Sequence, residues 1–183
     1  MTHFIKWSIA SLLIFFSHIV LADSEGPPYS YVATTLTGRY YFKMIPENGY
    51  DREKGKGICY EVKSDGTDKK IWKTKGWYSF KVYLSNDGKY LIRMGNWSRG
   101  QELSDKDLAV AFYKEGKLLK EYSTKDLVKD PSAIVRTVSH YAWKGDLPVF
   151  NPYKNIFQLT TIDNIKYIFN VLDGEIISQQ KTE

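Results

Sequence analysis

Histidine, cysteine and clustered carboxylates are the side chains of this sequence that could carry out acid–base, nucleophilic or metal chemistry. Beyond residue 22 the chain has one histidine, His140, and one cysteine, Cys59. A thiol acts as a nucleophile when a base lies within reach, so Cys59 and His140 together would form a nucleophilic centre if the fold joined them. The HxH, HExxH and CxxC spacings that mark zinc sites are missing. We therefore expect no metal site and no cofactor, and a structural role for Cys59.

Carboxylates are the second group of candidates, because two of them at a separation of roughly 5–9 Å can cleave a glycosidic bond. Glu102, Asp105 and Asp107 are close in sequence, but they belong to a polar run that is typical of a surface loop. Asp65 and Asp68 fit a tight turn, since the glutamate that closes a calcium loop is missing. Phosphate-loop, GxSxG and Ser-x-x-Lys motifs are absent from the sequence as well. The sequence therefore gives no motif that argues for an enzyme.

Aromatic side chains in two loops are the stronger candidates for binding. Trp97 and Arg99 lie in a segment rich in glycine, asparagine and serine, and Tyr141 and Trp143 lie in a second segment before a Leu-Pro sequence. A loop aromatic beside arginine or asparagine is suited to stacking on a sugar or docking a protein. The competing interpretation is that each tryptophan folds back to cap the core. We take these four residues as the candidate binding site, with a protein or an envelope glycan as the partner.

Residues 1–22 have the organisation of a secretory signal peptide. Lys6 supplies positive charge, an apolar stretch runs from Trp7 to Leu21, and Val20-Leu21-Ala22 places small or β-branched residues before the cleavage site. At about 15 residues the apolar stretch is short for a bilayer span of ~20, which favours cleavage over a retained membrane anchor. We expect an exported protein, periplasmic or secreted, without stable membrane insertion after cleavage. The mature chain, 23–183, would form a single β-rich domain.

The composition excludes two further classes. With 43% hydrophobic residues the chain is too apolar for a disordered protein. Its net charge of +5 is mild, and the lysines are interleaved with acidic residues along the sequence. Proteins that bind nucleic acids usually concentrate basic residues on one face, so we expect no nucleic-acid partner.

An internal repeat indicates how the domain is built. Gly38–Met44 and Gly88–Met94 share, in order, glycine, a basic residue, tyrosine, two apolar residues, a basic residue and methionine. Alternation with a period of two and one apolar face predicts half-buried β-strands. The residues expected to face the core are Tyr40, Phe42 and Met44, then Tyr90, Ile92 and Met94, and, in a fainter third copy, Tyr167, Phe169 and Val171. Lys89, Leu91 and Arg93 are expected on the opposite face of the second copy.

Hairpins follow each copy of the repeat. Their turns are marked by Ser64-Asp65-Gly66, Glu115-Gly116 and Asp173-Gly174, which supply the positive φ angles of tight turns. A further turn, Asn86-Asp87-Gly88, ends a strand predicted over Tyr78–Leu84. Short helices are predicted over 124–129, after the capping residue Ser123, and over 132–136.

The segment Leu84–Ile92, Leu-Ser-Asn-Asp-Gly-Lys-Tyr-Leu-Ile, resembles the Ser-x-Asp-Gly-Lys-Tyr-apolar turn and strand of bacterial β-propeller blades of the TolB and YVTN kinds. The resemblance implies four-stranded blades and no particular activity. A closed propeller needs ~4–8 blades, and this chain has material for two to three. We therefore predict an all-β, mainly antiparallel protein. Two to three blade-like meanders would pack as a stack or sandwich, not as a closed propeller, with one or two short helices.

These features favour an exported, non-catalytic β domain that binds a protein or a cell-envelope component. The alternative is a cell-envelope hydrolase that uses scattered carboxylates or the Cys59/His140 pair. The two hypotheses differ in whether such groups meet in one pocket with shifted pKa values.

Overall fold

The computed structural model describes residues 25–182, and the predicted signal peptide lies outside the described residues. Strands dominate this part of the chain, with one short α-helix, α1 (Thr124–Leu127), and a 3-10 turn over Pro131–Ala133. No helix in it is long and apolar enough to span a bilayer. The strands are β1 (Tyr31–Thr34), β2 (Tyr40–Pro46), β3 (Gly55–Val62), β4 (Asp68–Lys75), β5 (Val82–Leu84), β6 (Tyr90–Met94), β7 (Ser98–Arg99), β8 (Leu108–Lys114), β9 (Lys117–Ser123), β10 (Val135–Arg136), β11 (His140–Ala142), β12 (Val149–Asn151), β13 (Ile156–Thr160), β14 (Ile165–Asn170) and β15 (Ile176–Lys181).

Three four-stranded antiparallel sheets follow one another along the chain. The first sheet contains β1, β2, β3 and β4 in that order, the second contains β5, β6, β8 and β9, and the third contains β12, β13, β14 and β15. A small sheet, ordered β10-β11-β7, lies outside these three. The described chain is therefore an all-β stack of blade-like meanders that does not close, which confirms the predicted fold class.

A hydrophobic cluster joins the first sheet to the second. Phe42 and Met44 enter it from β2 and are fully buried, as the alternation of the first repeat copy predicted. Cys59 and Trp72 belong to the same side of the cluster, and Leu91 enters it from the second sheet. The close approach of these sheets is reinforced by the Trp72 indole N–H, which donates to the Gly88 carbonyl at 2.7 Å.

A second cluster joins the second sheet to the third. Ile92 and Met94 enter it from β6, and Tyr167 and Phe169 enter it from β14; all four are almost fully buried. Val171 follows β14 and is 1% exposed in the same cluster. The inward faces predicted for the second and third repeat copies are therefore confirmed.

Leu91 departs from the prediction, which placed it on an outward face with Lys89 and Arg93. It is 1% exposed and packs toward the first sheet, whereas its neighbour Ile92 packs toward the third. The second sheet is the middle layer of the stack, so both of its faces are covered. The Arg93 guanidinium lies 4.7 Å from the ring centroid of Trp77, an arrangement that lets a basic residue occupy this covered face.

The predicted strand over Tyr78–Leu84 is shorter in the structure, where β5 begins at Val82. The residues before it are held by side-chain hydrogen bonds. The Tyr78 hydroxyl donates to the Tyr29 carbonyl at 2.9 Å, and the Ser79 hydroxyl donates to the Met94 carbonyl at 2.7 Å. These long-range bonds replace ladder pairing, and no local pattern in the sequence signals them.

The predicted helices are also shorter than expected. α1 begins after Ser123, whose hydroxyl accepts from the Asp126 N–H while the Asp126 carboxylate accepts from the Ser123 N–H at 2.7 Å. This reciprocal capping box starts the helix. The second predicted helix, over 132–136, forms only the 3-10 turn at its start, because Val135 and Arg136 pair with β11.

Candidate functional site

The pairing of β7 with β11 brings the two predicted binding loops together. Arg99 lies opposite His140 in this antiparallel pair, and Ser98 lies opposite Tyr141. Trp97 precedes β7 and therefore comes to lie beside the end of β11. The pair is only a few residues long and joins distant parts of the sequence, so hydrophobic periodicity does not predict it.

Among the predicted binding residues, Trp97 has the accessible ring. Its side chain is 37% exposed, and its indole stacks on the His140 imidazole with ring centroids 4.0 Å apart and 25° between the ring planes. The Trp97 backbone N–H donates to Glu25 Oε1 at 3.0 Å. Both the ring and the backbone of this residue are thus held in one orientation.

A cavity of about 770 Å³ opens beside Trp97, and we call it the aromatic groove. Segments from four parts of the chain form its walls: residues 25–29, 80–83, 94–98 and 140–148. Its aromatic lining consists of Tyr29, Phe80, Tyr83, Trp97, His140, Tyr141 and Trp143. Three of the four predicted binding residues therefore meet in one concavity. Arg99 does not line it and remains exposed on β7 next to the groove.

Tyr141 and Trp143 form the floor of the groove and belong at the same time to the hydrophobic core. They are 1% and 4% exposed, respectively. The Tyr141 hydroxyl donates to Asp107 Oδ2 at 2.8 Å and lies 2.7 Å from the Thr124 hydroxyl. Burial raises the pKa of Tyr141 above its ordinary value. For Trp143 the core-capping interpretation matches the structure, and of the two tryptophans Trp97 is the one with an exposed ring.

The N-terminal segment of the described chain completes one wall of the groove. Besides the bond from Trp97 to Glu25, the Arg52 Nε–H donates to the Gly26 carbonyl at 3.1 Å. The Tyr29 N–H donates to the Tyr78 hydroxyl at 3.2 Å. These contacts hold the N-terminal segment in place at the wall of the groove.

Sequence reasoning missed the groove residues contributed by segments 25–29 and 80–83. No motif or spacing in the sequence singles out Tyr29, Phe80, Lys81 or Lys144. The Lys81 ammonium lies 5.1 Å from the centroid of the Tyr83 ring, within cation–π range. Aromatic density in the sequence was the only available signal, and it did not distinguish these rings from the rest.

The charges of the groove favour a ligand with acceptor or acidic groups. Lys81 and Lys144 are its cationic lining residues. Glu25 is the carboxylate of the lining; it is 8% exposed, and its Oε1 accepts from the Trp97 N–H. The groove thus combines ring surfaces for stacking with two ammonium groups for hydrogen bonding.

Cys59 lies in the core between the first and second sheets, and its thiol donates to the Gly88 carbonyl at 3.4 Å. Burial, with a smaller contribution from the Asp87 charge, raises the pKa of Cys59 to about 12. The thiol is therefore protonated at neutral pH and is not a nucleophile. His140 lies on the small sheet at the aromatic groove, whose lining does not include Cys59.

Two of the three clustered carboxylates considered for catalysis have structural partners. Asp107 accepts from Tyr141, and Asp105 pairs with the Lys125 ammonium at 2.9 Å. Asp105 also lines a polar cavity of about 470 Å³ together with Glu121 and Asp126. Hydrogen bonds from Ser123 lower the pKa of Asp126, the opposite of the shift that a proton-donating carboxyl needs. In the described part of the chain, no three His, Cys, Asp or Glu residues are grouped so as to hold a metal ion.

Comparison with known proteins gives structural similarity alone. No family model and no curated protein matches the chain. Among the 59 chains of known structure that match are Sqt1 from Saccharomyces cerevisiae and the C-terminal WD40 domain of Sif2. Sqt1 is 11% identical with a TM-score of 0.43, over 79% of this chain and 36% of its own. The Sif2 domain is 11% identical with a TM-score of 0.40, over 86% of this chain and 38% of its own. The chain thus spans less than two fifths of either structure.

Proposed function

We propose that this protein is an exported, non-catalytic β domain that binds a protein or a cell-envelope component in the aromatic groove. The observation that carries the proposal is the convergence of Trp97, Tyr141 and Trp143 on one cavity of about 770 Å³. Ligand sites are typically concave, mostly apolar cavities of roughly 300–1,000 Å³ with a few placed polar groups. The groove has this size and this composition.

Trp97 is the proposed anchor for the ligand. Stacking on His140 and the backbone bond to Glu25 hold it in place before any ligand arrives. A pre-organised aromatic ring loses little conformational freedom on binding, so more of its contact energy contributes to affinity. Tryptophan is also among the residues that most often dominate binding energies at interfaces. The proposed ligand presents a sugar ring or an apolar side chain to Trp97 and an acidic group to the two groove lysines.

Export supplies the setting for this binding. The proposal of a periplasmic or secreted location rests on the signal-like sequence of residues 1–22, which would deliver the domain to the cell envelope. The candidate ligands are therefore proteins and glycans of that compartment. Edman sequencing of the exported protein would test this part, with a mature N-terminus at Asp23 as the expected result.

The hydrolase alternative has less support. Its thiol is buried and protonated, and the carboxylate Asp126 in the polar cavity serves as a helix cap. An envelope-hydrolysis assay with Asp105→Asn tests it. Turnover by the native protein that this variant abolishes would favour the hydrolase over the binding domain.

The binding proposal is tested by retention of envelope components on the immobilised protein. The extract is split into a protease-treated fraction and a glycan-depleted fraction, which separates the two ligand classes. Trp97→Ala is the test variant, and Tyr50→Ala is its control because Tyr50 is 94% exposed and outside the groove. We expect to find an envelope component whose affinity for the native protein and for the Tyr50→Ala control is at least about 10-fold higher than its affinity for the Trp97→Ala variant. Equal retention by all three proteins would contradict the proposal.

A further inference from the structure

The outer face of the first sheet, which points away from the second sheet, repeats a pattern that the second sheet buries. The two sheets align at their first turns, where Thr35 N–H donates to Tyr40 O and Ser85 N–H donates to Tyr90 O. Residues that lie opposite each other on neighbouring strands form a row across the sheet. With that alignment, the second-sheet row Val82–Arg93–Ala111 corresponds to the first-sheet row Val32–Lys43–Ile58. The next row, Leu84–Leu91–Tyr113, corresponds to Thr34–Tyr41–Tyr60. Valine, a basic residue and tyrosine recur at three of the six matching positions, and at the other three Leu84, Leu91 and Ala111 correspond to Thr34, Tyr41 and Ile58.

The two matching faces differ in what covers them. In the second sheet Val82 is 4% exposed because the first sheet packs over it. Its counterpart Val32 is 51% exposed. Tyr41 and Tyr60 stack on each other with centroids 5.0 Å apart, and both remain half-exposed. Among residues 25–182, the first sheet therefore presents an apolar and aromatic face that no other sheet covers.

The turns of the sheets show the same missing neighbour. A Cβ atom on Gly116, in the last turn of the second sheet, would lie 2.5 Å from the Lys73 carbonyl of the first sheet. A Cβ atom on Gly174, in the last turn of the third sheet, would lie 2.6 Å from Lys120 of the second. The matching glycine of the first sheet, Gly66, has no described atom within 4 Å of that position. The last turns of the second and third sheets thus contact the preceding sheet, whereas the last turn of the first sheet has no such contact among the described residues.

We propose that a second copy of this chain covers the first sheet with the outer face of its own third sheet. That face is also uncovered in the described part of the chain: Val149 is 57% exposed, Ile156 and Ile168 are half-exposed, and Gln158, Thr160 and Lys166 share the face with them. The new contact continues the order already present, in which each sheet is covered by the next along the stack. A two-fold axis lets both copies make the contact at once and places six four-stranded sheets in one assembly. Ring-shaped stacks of such sheets contain ~4–8, so six are within the range that can close.

The experiment measures the mass of the purified protein in solution by analytical ultracentrifugation over a dilution series. We expect twice the mass of one chain at high concentration, falling to one chain on dilution. Tyr60→Lys on the first sheet and Ile168→Glu on the third are each expected to give monomers. Tyr50→Glu, in the exposed loop between β2 and β3, is the control that stays dimeric. Circular dichroism and thermal melting establish that every variant is folded.

Mixing the two folded variants tests directly whether the first sheet of one copy contacts the third sheet of the other. A mixed pair has one native contact and one contact in which both substitutions meet, so that opposite charges face each other there. We expect Tyr60→Lys and Ile168→Glu to associate when mixed although neither does so alone. A native protein that is monomeric at every concentration would overturn the proposal. So would a dimer that survives Ile168→Glu, or a mixture that stays monomeric.

Discussion

The indole of Trp97 lies flat against the imidazole of His140, with ring centroids 4.0 Å apart. Trp97 directly precedes β7 and His140 is the first residue of β11, and these two strands pair in antiparallel orientation. His140 is therefore a support that orients the proposed anchor of the aromatic groove. Several consequences of this arrangement and of the packing around it can be measured.

Removal of the support should weaken binding less than removal of the anchor. His140→Ala keeps the Trp97 side chain but removes the stacking contact that orients its ring, which is worth about 0.5–1.5 kcal/mol. We expect the affinity for the retained envelope component to fall by about 2- to 10-fold. His140→Phe, which preserves a ring at this position, should restore most of the loss. Calorimetric titration of the variants measures the binding affinity. If His140→Phe binds as weakly as His140→Ala, a positioning role for His140 is contradicted.

The two tryptophans should differ sharply in their effect on stability. Trp143 is 4% exposed in the core between the second and third sheets, so Trp143→Ala should lower the free energy of unfolding by about 3–5 kcal/mol. Trp97 is 37% exposed, and Trp97→Ala should cost no more than about 1 kcal/mol. Urea unfolding monitored by circular dichroism compares the two. Equal losses would mean that Trp97 is also a core residue, which would remove it as a clean probe of binding.

Cys59 should be unreactive in the folded protein. Its thiol is buried, and its pKa is raised to about 12, so the reactive thiolate is scarce at pH 8. We expect a chromogenic disulfide reagent to label the native protein at least about 100-fold more slowly than the urea-unfolded protein. Labelling at the same rate in both states would show that the thiol is accessible and would revive the nucleophile hypothesis.

The capping box at α1 should make stability depend on pH. Hydrogen bonds from Ser123 lower the pKa of Asp126 in the folded state below its ordinary value of 3.8. The ionised carboxylate therefore stabilises the fold above the unfolded-state pKa, and this stabilisation disappears as the pH falls through the folded-state pKa. Asp126→Asn should reduce the free energy of unfolding by about 0.5–2 kcal/mol at pH 7 and by less at pH 2–3. A difference from the native protein that is the same at both pH values would exclude the ionised cap.

Two glycines with nearly the same backbone angle provide a matched test of sheet packing. Gly116 has φ of 80° and Gly66 has φ of 82°, so alanine suffers the same backbone strain at both. A Cβ at Gly116 meets the Lys73 carbonyl, whereas a Cβ at Gly66 meets no described atom. In a monomeric Tyr60→Lys background we expect Gly116→Ala to destabilise the protein by about 1–3 kcal/mol more than Gly66→Ala. Equal values in thermal or urea unfolding would show that the turn of the second sheet is not in close contact with the first.

The sequence predicted the fold well where the signal was local. Alternation at Phe42 and Met44 and the hairpin turn at Glu115-Gly116 depend on neighbouring residues, and both appear in the structure as expected. The burial of Leu91 was not predicted, because alternation identifies a face but does not show that a second layer will cover the opposite one. The export signal and the binding partner remain predictions.

The groove was predicted only in part, for a different physical reason. Loop aromatics suit binding, which predicts Trp97, Tyr141 and Trp143 as site residues, and these three share one cavity. Tyr29 and Phe80 were not selected, because their place in the groove depends on tertiary hydrogen bonds such as that between Tyr29 and Tyr78. Contacts of this kind join residues far apart in the chain and leave no periodic trace between them.

The middle position of the second sheet makes the molecule hard to divide. A fragment that ends after β9 would leave Ile92, Met94 and Phe112 without the partners that the third sheet supplies. A fragment that starts at β5 would leave Leu91 and Tyr113 bare on the other side. Either truncation exposes one apolar face of the second sheet to water, so the shortened proteins should aggregate instead of folding. A protein that is able to bind the ligand should accordingly contain all three sheets.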